Sequence, residues 1–180
     1  MSKSWLRLFL IGGAVVALDI WTKRLATAYL AGRTPVDVLG EFVRLTYTRN
    51  SGVAFGLGAG VPFPYYVFSM AAVGVILYLF ARQRAGGSAR QIALSLVLGG
   101  AVGNLIDRLA SGEVVDFIEI GYGHWHWPVF NVADSAVTIG VVLFALVWSR
   151  KEGSGVRVED AAGAGPARGE IAVDPHESRI

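Results

Sequence analysis

Residues 61–81 read VPFPYYVFSMAAVGVILYLFA, a run without an Asp, Glu, Lys or Arg. A bilayer core takes about 20 apolar residues in helical form, and this run meets that length with no charge to solvate. It predicts a membrane span over Val61–Ala81. Three further apolar stretches of similar length flank it, at Leu6–Ala28, Ala89–Leu109 and Phe130–Trp148. The fold class expected is an all-α membrane protein with four transmembrane helices. The stretch Ala89–Leu109 is rich in small residues, and Gly99 and Gly103 form a GxxxG pair of the kind that lets helices approach closely in lipid.

Composition agrees. Of the 180 residues, 53% are hydrophobic and only 17% charged, too few charges to coat a soluble domain of one-domain size. A net charge of +2 gives no electrostatic case for nucleic acid, and no nucleic-acid partner is expected. There is no cysteine, so disulfides, a thiol nucleophile and a thiolate metal site are excluded. The histidines are His124, His126 and His176, none in an HExxH pattern. No metal site and no cofactor are expected. Lys3, Arg7 and the apolar run Leu8–Leu18 resemble a signal peptide, but Asp19, Lys23 and Arg24 follow in place of a small-residue cleavage site, so the segment reads as a retained first helix.

Between the first two spans, Thr34–Gly60 contains the β-prone Phe42-Val43-Arg44-Leu45-Thr46-Tyr47 and then a Gly-rich stretch. A small extracytoplasmic β-sheet between helices 1 and 2 is expected there. Gly112–Pro128 forms a second such loop, with an apolar Val114–Ile120 and the interfacial aromatics Tyr122, Trp125 and Trp127. These last could cover a site. The domain reading is a membrane unit over 1–151, followed by a disordered cytoplasmic tail over 152–180 that is rich in Gly, Ala, Glu and Arg. Lys3, Arg7, Arg82, Arg84, Arg90, Arg150 and Lys151 lie near span ends on one side, and Lys23, Arg24, Arg33, Arg44, Arg49 and Arg108 on the other. With Lys23, Arg49 and Arg108 set aside as neighbours of other polar site candidates, the excess lies on the first side, and both termini are expected to be cytoplasmic by the positive-inside rule.

The informative residues are the polar ones inside spans, which are costly in lipid and mark function by default. They are Asp19 and Lys23, Asn104, Asp107 and Arg108, and Asn131 and Asp134. Alternating spans carry all of them to the same outer boundary. Asp19 has Lys23 one turn away, and Asp107 adjoins Arg108, so both acids read as locally neutralised structural groups. Asp116, within Val114-Val115-Asp116-Phe117-Ile118, and Asp134, within Val132-Ala133-Asp134-Ser135-Ala136, have no basic neighbour. Brought together, two such acids would share one proton, one acting as base on a water and the other as acid toward a carbonyl. Ser111 or Ser135 with His124 is a weaker alternative, because neither serine sits in a nucleophile motif. A site of His plus carboxylates has only His124 and His126 to offer. An ion or proton path would use the same carboxylates but would spread them through the midplane. A scaffold protein would explain the GxxxG pair but not two unpaired aspartates.

Five blocks, in order, carry a resemblance. Asp19-Ile20-Trp21-Thr22-Lys23, Asn50-Ser51-Gly52-Val53-Ala54-Phe55, Gly99-Gly100-Ala101-Val102-Gly103-Asn104-Leu105-Ile106-Asp107-Arg108, Val114-Val115-Asp116-Phe117 and Phe130-Asn131-Val132-Ala133-Asp134-Ser135 resemble the successive blocks of the lipoprotein signal peptidase (signal peptidase II) family. The resemblance runs from about residue 10 to 150 and does not reach the tail. It implies an intramembrane aspartic endopeptidase of the bacterial inner membrane, with its active site near the extracytoplasmic face. Such an enzyme removes the signal peptide of prolipoproteins before a diacylglyceryl-modified cysteine and is inhibited by globomycin. The implied catalytic pair is Asp116 and Asp134. Asn50, Asn104, Arg108 and Asn131 take supporting or substrate-binding places in the family, and Asp19 and Lys23 its structural pair. Beside the resemblance, Gly52 permits close backbone approach to a substrate and Asp107 reads as structural. Substrate acyl chains would lie between helices, against membrane lipids. Arg108 is expected to order Asp107 and the adjacent loop.

Overall fold

The computed structural model describes residues 2–52, 64–83 and 87–153. Among them are four helices, α1 (Lys3–Leu30), α2 (Tyr66–Gln83), α3 (Ser88–Ser111) and α4 (Val132–Gly153), and four strands, β1 (Val36–Leu39), β2 (Val43–Asn50), β3 (Val114–Tyr122) and β4 (Trp125–His126). The expected start of the second span at 61–63, the Gly-rich stretch at 53–60 and the tail at 154–180 lie outside the described residues.

Two helices start later than the hydropathy reading has them, each for a backbone reason. α2 starts at Tyr66, two residues after Pro64, whose ring fixes φ and leaves no N–H to give a helix. The carbonyl of Pro64 instead accepts from the Val67 amide at 2.9 Å, opening the first turn. α4 starts at Val132 rather than Phe130 because Phe130 is held by β3: its carbonyl accepts from Phe117 and Ile118 at 3.0 and 2.8 Å, and its amide donates to Ile118 at 3.0 Å. α1 and α3 are long and apolar enough to cross a membrane, while Tyr66–Arg82 and Val132–Trp148 are shorter apolar helices.

α3 is the central helix, packed against α1, α2 and α4. Glycine makes two of these contacts close. A methyl on Gly99 would lie 2.8 Å from the Gly12 carbonyl oxygen and from Val15 Cβ of α1, and one on Gly103 would lie 2.6 Å from Asp19 Oδ2. The GxxxG pair therefore serves packing within the chain, one glycine against the α1 backbone and the other making room for a carboxylate. Leu8, Ile76, Phe80, Leu94 and Leu98 form the core at one end of the bundle. At the other end Ala26, Leu30 and Phe117 form a second core that seats the sheet on the C-terminus of α1.

The sheet is antiparallel in the order β1-β2-β3-β4. It is thus wider than the sheet expected between helices 1 and 2, since half of it comes from the α3–α4 connection. The reason is edge satisfaction: the inner edge of β2 needs a partner, and Val114–Tyr122 supplies one, pairing Thr48 with Asp116 and Asn50 with Val114. Arg44 faces Glu119 across this pair and bonds it at 3.1 Å.

Candidate active site

The site forms where the sheet meets the C-terminal halves of α1 and α3 and the start of α4. Asp116 arrives on β3, 3% exposed. The bridge between Ile118 and Phe130 then fixes the next residue, Asn131, beside it. Asn131 is fully buried. Its Oδ1 accepts the Asp134 amide at 2.9 Å while Asp134 Oδ2 accepts the Asn131 amide at 3.2 Å, a reciprocal cap on α4. The same side chain donates from Nδ2 to Asp116 Oδ1 at 2.6 Å. One asparagine therefore ends the loop, starts the helix and joins the two aspartates.

Asn104 of α3 completes the join, donating from Nδ2 to Asp134 Oδ1 at 2.8 Å. Its Oδ1 accepts from Lys23 Nζ at 2.9 Å and from Asn131 Nδ2 at 3.2 Å. Two donors on one oxygen fix the amide orientation, so its NH2 must face the carboxylate. Asn50, at the end of β2, donates to Asp116 Oδ2 at 3.2 Å and accepts the Gly52 amide at 2.9 Å. Burial, then the charge of Asp134, push the Asp116 carboxyl up to about 6, opposed by the Asn50 and Asn131 donors.

Lys23 is 4% exposed and directs its ammonium to three acceptors: Asp19 Oδ2 and Asp107 Oδ2, each at 2.7 Å, and Asn104. That corrects the expectation that Arg108 neutralises Asp107. Successive helical residues turn by about 100°, so Asp107 and Arg108 flank Asn104 on opposite sides. Asp107 faces α1, whereas Arg108 reaches Ser69 Oγ of α2 from Nη1 at 3.2 Å and the Gly52 carbonyl from Nη2 at 3.0 Å. The loop part of the Arg108 expectation agrees with the Gly52 contact. Asp19 does more than pair with Lys23, because its Oδ1 accepts the Ala133 amide at 2.9 Å in the first turn of α4. It thus holds that helix end in place.

A cavity of about 860 Å³ opens beside the two aspartates. Asn50, Asn104, Arg108, Asp116 and Asp134 line its polar end, and Phe68, Ile76, Val97 and Ile139 are among its apolar lining. Trp125 and Trp127, with ring centres 6.4 Å apart, also line it. The alternative groups lie otherwise. Ser135 Oγ donates to the Asn131 carbonyl at 3.0 Å, Ser111 Oγ to the Asp107 carbonyl at 3.2 Å, and His126 pairs with Glu119 at 3.1 Å on the sheet. Among the described residues no three His, Asp or Glu side chains are grouped to hold a metal ion. Ser69 and the Gly52 carbonyl escaped the sequence reading. A serine in an apolar helix and a backbone carbonyl carry no signal until the Arg108 rotamer is known.

Fold and site together define a class: a helical bundle with apolar outer faces that sequesters two aspartates beside an apolar cavity at one end. Comparison narrows the class. The family model described as signal peptidase (SPase) II matches residues 11–149. The lipoprotein signal peptidase of Syntrophus aciditrophicus is 38% identical over 156 residues, covering 83% of this chain and 97% of that protein. The lipoprotein signal peptidase of Syntrophotalea carbinolica is 44% identical, covering 77% and 88%. A solved structure described as a bacterial membrane enzyme superposes with a TM-score of 0.73 at 32% identity, over 82% of this chain and 90% of that one. The chain belongs to the signal peptidase II family, and that makes it a peptidase and a membrane enzyme.

Proposed function

We propose that the chain is an intramembrane aspartic endopeptidase that removes the signal peptide from diacylglyceryl-modified prolipoproteins, cleaving before the lipidated cysteine. The observation that carries this reading is the convergence of Asp116 and Asp134 through Asn131, on the wall of the cavity. One carboxyl takes a proton from a water as that water attacks the scissile carbonyl, and the other gives a proton to the carbonyl oxygen. The proton belongs to the pair. Asn104 and Asn131 hold the carboxylate oxygens in register, and Asn50 and Arg108 position the Gly52 backbone at the rim of the site. Lys23, with Asp19 and Asp107, forms the structural ion cluster beneath. The apolar part of the cavity suits diacylglyceryl chains, and globomycin-type inhibitors would occupy the polar end.

In this reading residues 1–151 are one membrane domain with four spans, and 152–180 are a cytoplasmic tail. Both termini face the cytoplasm of a bacterial cell, and the sheet and site lie at the extracytoplasmic face of its inner membrane. Exposed Phe9, Leu10, Trp21, Met70, Val75 and Leu146 on the outer helix faces support immersion in membrane lipids. The test is Asp116→Asn and Asp134→Asn, assayed on a diacylglyceryl-modified prolipoprotein in detergent. Each change should lower kcat by at least about 100-fold, and near-normal cleavage by either variant sinks the assignment.

A further inference from the structure

α2 carries no charge before Arg82, yet it contributes one side chain to the polar network around the aspartates. Ser69, half-buried in the second turn of the helix, lines the cavity and lies 3.2 Å from Arg108 Nη1. A guanidinium only donates, so the Ser69 oxygen must be the acceptor. We propose that Ser69 is a positioning residue for the peptidase reaction, holding Arg108 and, through it, the Gly52–Asn50–Asp116 chain of hydrogen bonds. This role rests on the functional reading given above.

Each link in the chain has one possible direction. Arg108 Nη2 donates to the Gly52 carbonyl at 3.0 Å, and the Gly52 amide donates to Asn50 Oδ1 at 2.9 Å. With its oxygen occupied, Asn50 has only its NH2 to offer Asp116, and it donates to Oδ2 at 3.2 Å. Arg108 therefore needs two fixed contacts to set where Gly52 lies, one on the β2 side and one on α2. An arginine side chain has many rotamers, and its planar fork is useful when two of its nitrogens are anchored. Ser69 supplies the α2 anchor. Without it the guanidinium keeps the Gly52 carbonyl but loses the second point that fixes its plane. The consequence would be felt at Asp116, although Ser69 touches neither aspartate. α2 packs on the bundle core through Ile76 and Phe80, with Val73 and Leu79 beside them, all apolar and farther along the helix. A hydroxyl at Ser69 is thus separable from the packing of α2.

The experiment compares the wild-type chain, Ser69→Ala, Ser69→Thr and Asp116→Asn on the lipidated prolipoprotein in detergent, with thermal unfolding measured alongside. Ser69→Ala should lower kcat/KM about tenfold, the effect of losing one hydrogen bond to a charged group, mostly in kcat and with the unfolding midpoint unchanged. Ser69→Thr, which keeps the oxygen, should restore activity. In an Arg108→Lys background Ser69→Ala should add nothing, because the two groups act as one unit. The role is overturned if Ser69→Ala cleaves as the wild type does. It is equally overturned if its loss of activity tracks a lower unfolding midpoint and threonine does not rescue it. A wild-type chain that ignores the lipidated substrate, or an unimpaired Asp116→Asn, brings down the functional reading itself. Normal dependence on Asp116 with an unimpaired Ser69→Ala brings down the positioning role alone.

Discussion

Asp116 shows how one residue's surroundings set its chemistry. Burial raises its carboxyl first and the neighbouring Asp134 charge second, against two amide donors and the more distant Lys23, and it settles at about 6. A raised carboxyl favours the neutral form, so the shared proton is present below that value and lost as pH rises through it. The kcat/KM of the free enzyme should therefore fall on the alkaline side with an apparent pKa near that value. Asn50 donates to Asp116 Oδ2 and so favours the charged form. Asn50→Leu should move the alkaline limb upward, as a pH profile of kcat/KM for the two proteins would record. A limb that stays in place or moves down would separate Asn50 from the aspartate. The absence of a basic neighbour was legible around Asp116 in the sequence, whereas its two amide donors come from other elements.

Among the elements, α3 carries the most information per residue. Its glycines face neighbouring helices, and its polar residues divide between α1, α4 and α2 by helical rotation. Asn104 faces the aspartates, Asp107 the α1 lysine and Arg108 the α2 serine. Close α1–α3 approach depends on Gly99, where a Cβ would meet the Gly12 carbonyl at 2.8 Å. Gly99→Leu should destabilise the bundle by about 1–3 kcal/mol, as overpacking does, read as a lower thermal unfolding midpoint in detergent. Gly13→Leu is the control, since nothing lies within 4 Å of a Cβ there and the position is exposed. Equal midpoints for the two variants would contradict the packing role of Gly99. The polar spacing of α3 was readable as one helical face, but a face about 100° wide covers two neighbours. Sequence adjacency therefore paired Asp107 with the wrong cation.

At the scale of the molecule, the sheet, Asp116 and Asp134 sit at one end of the bundle, and the core of Leu8, Ile76, Phe80, Leu94 and Leu98 sits at the other. The proposed orientation puts the sheet outside the cell membrane. The chain has no cysteine, so any one introduced is the sole thiol. Asp37→Cys on the exposed strand β1 should react with a membrane-impermeant maleimide in spheroplasts. Lys3→Cys should react only after the membrane is permeabilised. The reverse pattern would invert the topology and move the site to the cytoplasmic face.

Hydropathy runs depend on local composition, so the four helices and the gathering of polar residues at one end were readable from the chain alone. So were Asp116 and Asp134 as the acids without local counter-charges. What the tertiary structure decided were the non-local pairings: Lys23 with Asp107, Asp19 with the first turn of α4, β3 as the partner of β2, and Ser69 with Arg108. Each depends on the rotation of a helix about its axis or on which backbone edge lacks a partner. Such pairings join residues distant in the chain, and local sequence pattern does not encode them.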